Sequence, residues 1–289
     1  MELESGATAE ALRAVGVPEE QVPDLVQLLG AIPSETADRV AELVAGLEGQ
    51  LGRIFERGSV FEPADFDAGP GRGVVPLLAL LQVSGAVDRY LHGRGVPDDC
   101  RRATLAEVGR QTAKTQSVRG WVGLQDAGWV ETVFRGGFVN VGRLQYELLY
   151  DDARDEYVLN THIPAGGALR PGDVTESLRR GREVMAAAFP EFGPLRTAVC
   201  DSWLLDPQLA QLLPGSNIAE FGRLWELANS GPGDDDALYF VFDVPRGNGG
   251  RVAELLPGLT ANSRLQQAIL DLWRSGGSLR HHRGHLALP

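Results

Sequence analysis

Apolar positions in the first part of the chain recur at helical spacing. In "SETADRVAELVAGLEGQLGRIFERG", Val40, Leu43, Val44, Leu47, Leu51 and Ile54 fall three or four residues apart and share one face. Ser34 stands where an N-cap would accept an orphan amide. "ATAEALRAVG" and "EEQVPDLVQLLG" are shorter helical pieces, each ended by glycine. "VVPLLALLQVSGAVDRYLHGRG" is apolar enough for a buried central helix. In "TLAEVGRQTAKTQSVRG", Thr104 and Glu107 have capping-box spacing. "EPADFDAGPGRG" is a loop by composition.

From about Trp121 the period shortens to two. Val139 and Val141, then Leu144, Tyr146 and Leu148, then Tyr157 and Leu159 alternate with polar residues, as hairpin strands do. A helix is expected from Asp173, as its cap, to about Phe189. Its apolar face is Val174, Leu178, Gly181, Met185 and Ala188. "TAVCDSWLL" reads as a strand. Asp206 and Pro207 then start a helix in the cap-then-proline order. Ser216 caps another, with Ile218, Phe221 and Trp225 on one face. "DALYFVFDV" reads as a strand, "RLQQAILDLWRSGG" as an amphipathic helix and "SLRHHRGHLALP" as a last strand. The expected architecture is α+β: a helical N-terminal domain over 1–133, then a mixed-sheet α/β domain over 134–289.

Composition narrows the function classes. Of 289 residues, 39 are acidic and 27 are Lys or Arg, a formal net charge of −12. That balance excludes a broad basic face for nucleic acid and attraction to anionic lipid. Lys114 is the single lysine, and the arginine bias reads as a GC-rich genome. Two cysteines, Cys100 and Cys200, make neither a disulfide framework nor a zinc site. No basic segment leads into an apolar one at the start, and no run approaches 18 apolar residues. The expectation is a cytoplasmic protein with no membrane span.

The candidate chemistry centres on "LNTHIPAGGALRPGDVTESLRRG", Leu159 to Gly181. A strand passes through Gly166 and Gly167 into a helix, whose first amides lack partners and carry partial positive charge. Arg170 adds a fork suited to phosphate. Asp173, however, puts a carboxylate where a phosphate would sit. From these residues alone, both an anion site and a simple corner stay open. His162 closes the strand as a candidate base, or as a hydrogen-bonded core histidine. Cys200 and Ser202 point to one side of their strand and Asp201 to the other. A Cys200–His162 nucleophilic pair stands beside a buried structural cysteine. Trp203, Trp225 and Trp273 read as core. His281, His282 and His285 have a helical ligand spacing in a segment that reads as strand, so no metal is expected. There is no Walker loop, dinucleotide fingerprint or G-x-S-x-G.

"VGRLQYELL", "THIPAGGALRPGDVTESL", "CDSWLLDPQLAQLLPGSNIAEF" and "ALYFVFDV" occur in this order. Together they resemble the two-domain bacterial acyltransferases with a helical N-acyltransferase N-terminal domain and a GNAT-like C-terminal domain. The resemblance is detailed over about 137–285. It implies a central strand over about Glu156–Ile163 and a pyrophosphate turn over about Pro164–Gly172. The splayed partner strand would be Ala198–Leu205, with an acyl-CoA thioester in the splay. It implies acyl-CoA as co-substrate and a small-molecule or peptide amine as acceptor, or a GNAT scaffold that binds without catalysis. Ile163, Gly166, Gly167, Ala168, Arg170 and Asn217 are the implied coenzyme contacts. The family's Gln/Arg-x-x-Gly-x-Gly/Ala signature is replaced by "AGGALR". An amine of pKa about 10.4 is neutral in only about 1 part in 2,500 at pH 7, a cost of about 4.6 kcal/mol. His162 and Asp201 are the candidate bases, and Ser202 the candidate donor to the leaving thiolate.

Overall fold

The computed structural model describes residues 5–288. The chain divides into two units. One runs to Val141 and takes in Val184–Glu191; the other holds Gly142–Glu183 and the residues from Phe192 on. In the first, α1 (Ser5–Ala14), α2 (Val22–Gly30), α3 (Ala37–Gln50), α4 (Pro63–Asp67), α5 (Val74–Gly93), α6 (Asp98–Leu105), α7 (Glu107–Arg119) and α8 (Ala127–Phe134) precede β1 (Phe138–Val141).

The expected periodicity of α3 holds, with Val40, Leu43 and Leu47 buried. Helix α5 is long and apolar enough by length and composition to cross a membrane. Its consecutive residues Val74 to Leu81 are all buried, which is the pattern of a central helix in a folded unit. Gly73 lets it start there: its φ is +67°, and a Cβ would lie 1.8 Å from the Leu124 carbonyl oxygen. Two expected caps are absent. Ser34 lies in a short 3-10 turn with no side-chain cap bond. The helix breaks between Thr104 and Glu107, so they form no capping box. Thr104 instead donates to the Cys100 carbonyl at 2.7 Å and accepts from the Asn140 amide at 2.9 Å.

In the second unit, β2 (Leu144–Asp151), β3 (Glu156–His162), α9 (Pro171–Ala188), β4 (Thr197–Ser202), α10 (Pro207–Leu212), α11 (Asn217–Arg223), β5 (Glu226–Pro232), α12 (Asp234–Phe242), α13 (Val252–Leu255), α14 (Arg264–Arg274) and β6 (Arg280–Ala287) follow in order. These strands lie in the order β2-β3-β4-β6-β5. Only β3 and β4 pair in parallel; β2/β3, β4/β6 and β5/β6 are antiparallel. The sheet is mixed, as expected. Helix α9 covers the face that carries Tyr146: the Tyr146 hydroxyl lies 3.1 Å from Ser177 Oγ. Asp206 and Ser216 cap α10 and α11 as expected.

Three local expectations are corrected. Helix α9 starts at Pro171, not at Asp173; Val174 N–H already reaches the Arg170 carbonyl at 3.0 Å. "DALYFVFDV" is helix α12, not a strand. Asp234, Asp235 and Asp236 stand in its first turn, where carboxylates suit the helix dipole. Asp234 also accepts from Trp273 Nε1 at 2.7 Å and from the Leu279 amide at 2.8 Å. Ala237 and Leu238 then enter a cluster with Trp203, Leu209, Ile269 and Trp273, and this burial overrides the β-propensity of the run. The strand on that side is the polar segment Glu226–Pro232, held by main-chain pairing to β6. Trp225 therefore leaves the helix, which ends at Arg223, and packs beside Gly284.

Candidate active site

Strands β3 and β4 are in register at only two positions, Leu159 with Ala198 and Asn160 with Val199. Beyond these, β3 runs on to His162 and β4 to Ser202 outside the parallel register. Each is held on its outer side, β3 by β2 and β4 by β6. The result is a wedge between two parallel strands.

Register also sorts the side chains. Glu147 sits opposite Asn160, Gln145 opposite His162 and Asn160 beside Val199. These residues, with Asp201 and its partner Arg283, share one face of the sheet. Tyr146, Thr161, Cys200 and Ser202 share the other. On the first face a polar cluster forms around His162. Its Nε2 lies 3.0 Å from Glu147 Oε2, and the Asn160 amide donates to the same oxygen at 2.9 Å. Asn160 Nδ2 is also 3.1 Å from His162 Nε2. The cluster is partly buried, which strengthens its electrostatics relative to water.

Further across the same face, Arg283 bridges two carboxylates, donating to Asp201 Oδ2 at 2.8 Å and to Asp151 Oδ2 at 3.0 Å. Burial pushes the Asp151 carboxyl up, but the hydrogen bond and charge of Arg283 outweigh it and hold the group below its usual range. Burial, with the charges of Arg154 and Arg283, holds His285 below its ordinary value despite Asp151. Asp201 is thus committed to an ion pair, while His162 stands in a separate cluster.

Ser202 turns away from both. Its Oγ accepts from the Leu204 amide at 3.1 Å and caps the turn after β4. Cys200 is fully buried, on the opposite face from His162, and burial pushes its thiol well up. The two do not form a nucleophilic pair. Trp203 and Trp273 are core, as read from sequence, and Trp225 is buried. On β6, His281 and His285 fall on one face and His282 on the other, and no cluster of potential metal ligands occurs among the described residues.

The loop after β3 is exposed from Ala165 to Ala168, between a half-buried Pro164 and a buried Leu169. Gly166 and Gly167 have φ of +85° and +72°, a conformation that favours glycine. Arg143, just before β2, spans the loop from behind. It donates to the carbonyls of Pro164 at 3.1 Å, Gly167 at 3.1 Å and Ala168 at 3.2 Å. Burial holds its guanidinium below its ordinary pKa, against the charge of Asp173. Among the described residues, no protein acceptor takes the N–H groups of Gly166, Gly167, Ala168 or Leu169. Arg170 is largely exposed, 3.9 Å from Asp173. Ile163 lies between His162 and this loop, whereas Asn217 opens α11. Sequence reading missed Glu147, Asn160, Arg143 and Arg283. Its one available signal was the hairpin register, which sets Glu147 opposite Asn160 once β2 and β3 are paired.

The profile of the GNAT-like C-terminal domain matches residues 138–286, more than half of the chain, and that of the N-acyltransferase N-terminal domain matches 7–136. The chain belongs to this GNAT-like acyltransferase family. Solved acyltransferase structures match along nearly the whole chain. An acyltransferase in complex with decanoyl-CoA is 29% identical, with a TM-score of 0.83 over 98% of this chain and 88% of that one. An acyltransferase mutant with octanoyl-CoA is 28% identical at the same TM-score and coverage. A complex with decanoyl-CoA and teicoplanin is 27% identical, with a TM-score of 0.80. No curated protein matches the chain.

Proposed function

We propose that this GNAT-like acyltransferase moves an acyl group from acyl-CoA to the amine of a small-molecule acceptor, with His162 taking the amine proton. The observation that carries the reading is the wedge past Asn160 and Val199, flanked by His162 on one strand and leading into a loop of unpartnered amides. In this reading the thioester lies in the wedge. The amine nitrogen attacks the thioester carbon; the N–C bond forms, the C–S bond breaks, and the amine proton passes to His162. Glu147 steadies the imidazolium, the role of the carboxylate in a Ser-His-Asp triad, and Asn160 holds that carboxylate in place. Ser202 is the candidate hydroxyl for the departing thiolate, and main-chain N–H groups near Thr161 to Ile163 are the candidate donors to the developing oxyanion.

Gly166, Gly167, Ala168 and Arg170 would lie along the coenzyme diphosphate, at the start of α9, where anions are favoured. Ile163 would lie along the pantetheine arm. Asn217 is assigned by family resemblance. The relatives' octanoyl and decanoyl donors make medium-chain acyl-CoAs the first to test, and teicoplanin the first acceptor. The carboxylate of Glu147, on the wedge face, suits a cationic amine. The test is thiol release from these acyl-CoAs with a panel of amines, with acylated product identified by mass. Amine-dependent release supports transfer. Tight binding without release would make the protein a non-catalytic scaffold, and no binding would remove the reading altogether.

A further inference from the structure

The loop that replaces the usual glycine signature carries no side chain that organises it from within. The group that does so comes from another part of the sheet. One planar guanidinium, at Arg143, takes three loop carbonyls, those of Pro164, Gly167 and Ala168. A trans peptide points its N–H opposite to its C=O. Turning those three carbonyls toward Arg143 therefore turns the amides of Ala165, Ala168 and Leu169 away from it. None of the three amides has a protein acceptor among the described residues. We propose that Arg143 is a positioning residue for the coenzyme: it clamps the Pro164–Ala168 loop so that its amides converge on the diphosphate of acyl-CoA.

The inference rests on the acyl-CoA reading above and adds a residue to it. Arginine suits the task because its donors lie in one fixed plane and reach several carbonyls at once, whereas lysine offers a point charge. Without the fork, the carbonyls would be released to turn toward the site and present partial negative charge to an anion. Gly166 and Gly167 make the loop pliable, so an external clamp has something to fix.

The test compares Arg143→Ala and Arg143→Lys with the unaltered protein, using octanoyl-CoA and octanoyl-pantetheine, which lacks the diphosphate. KM for octanoyl-CoA should rise roughly ten- to hundredfold in both variants, the weight of one or two charge-assisted hydrogen bonds. Turnover number should change little, and kcat/KM for octanoyl-pantetheine should match the unaltered protein, which also shows that the variants fold. An unchanged KM would overturn the proposal. So would an equal loss on octanoyl-pantetheine, or full rescue by lysine, which would reduce the role to charge alone. Failure of the unaltered protein to use octanoyl-CoA would instead count against the function reading.

Discussion

Glu147 and His162 meet across β2 and β3, Oε2 to Nε2 at 3.0 Å, although each lies two residues from the other's direct partner. The imidazole leans back along the sheet to reach the carboxylate, and Asn160 sits between them. A lone histidine at a strand end would be free to rotate; this one is held. Replacing His162 by Ala should lower kcat by about a hundred- to ten-thousandfold, the usual weight of a general base, with acyl-CoA affinity preserved in a calorimetric titration. Glu147→Gln keeps the shape and removes the charge. It should lower kcat by less than His162→Ala, with little effect on KM for the donor. Unchanged turnover in His162→Ala would remove the base assignment.

Cys200 supplies a test of a different kind. Its thiol is fully buried, and burial pushes its pKa far above the ordinary value of 9.0. The folded protein keeps the proton; the unfolded chain loses it once pH passes about 9. The unfolded state then binds fewer protons, so stability falls with rising pH, by up to about 1.4 kcal/mol per unit for one group. Tyr146, also buried and raised, adds to the same fall above pH 10. Urea midpoints from pH 8 to 10.5 should therefore decline, and Cys200→Ala should flatten the early part of that decline. The same variant should retain its turnover, and native Cys200 should resist iodoacetamide. Rapid labelling with loss of activity would reopen the thiol-enzyme reading.

How far the sequence could be read depended on whether a feature was local. Strands β2, β3 and β4, with helix α9, were visible because their apolar residues alternate or fall on one face. The α12 segment was misread because "ALYFVF" has β-propensity, while its helical state is decided by distant partners, Trp273 and Leu279 binding Asp234. Strand β5 was invisible because its sequence, "ELANSGP", has no apolar period and depends on the main chain of β6. At the site, His162 stood out by residue type. Glu147 and Arg143 did not: one becomes relevant through hairpin register, the other through a contact some twenty residues away in sequence.

Gly181 shows how tightly α9 sits on the sheet. A Cβ there would fall 2.3 Å from Cε2 of Tyr146, whose ring is completely buried. The ring cannot swing aside without leaving Ser177, to which its hydroxyl is hydrogen-bonded. Gly181→Ala should therefore destabilise the fold by about 1–3 kcal/mol despite alanine's better helix propensity. Gly172→Ala, in the same helix with nothing within 4 Å of its Cβ, should be neutral or stabilising by up to about 1 kcal/mol. Urea denaturation of both variants makes the comparison. Equal effects would show that helix propensity, not the Tyr146 contact, governs position 181.

Arg283 holds Asp151 and Asp201 together, but the two carboxylates are unequal. Asp151 is nearly buried, whereas Asp201 is over a third exposed. Arg283→Ala strands the buried charge and should cost roughly 1–3 kcal/mol, below the range for a wholly buried pair because the guanidinium itself is partly solvated. Asp201→Ala should cost under about 1 kcal/mol. The sign of the pH dependence follows from Asp151. Its folded carboxyl is held below the ordinary value of 3.8, so the pair's contribution is present above that pH and is lost as pH falls through the folded value. The gap in stability between Arg283→Ala and the unaltered protein should thus be full at pH 7 and shrink below about pH 4. A gap that stays constant down to pH 3 would mean that the arginine acts through packing of its stem rather than through its charge.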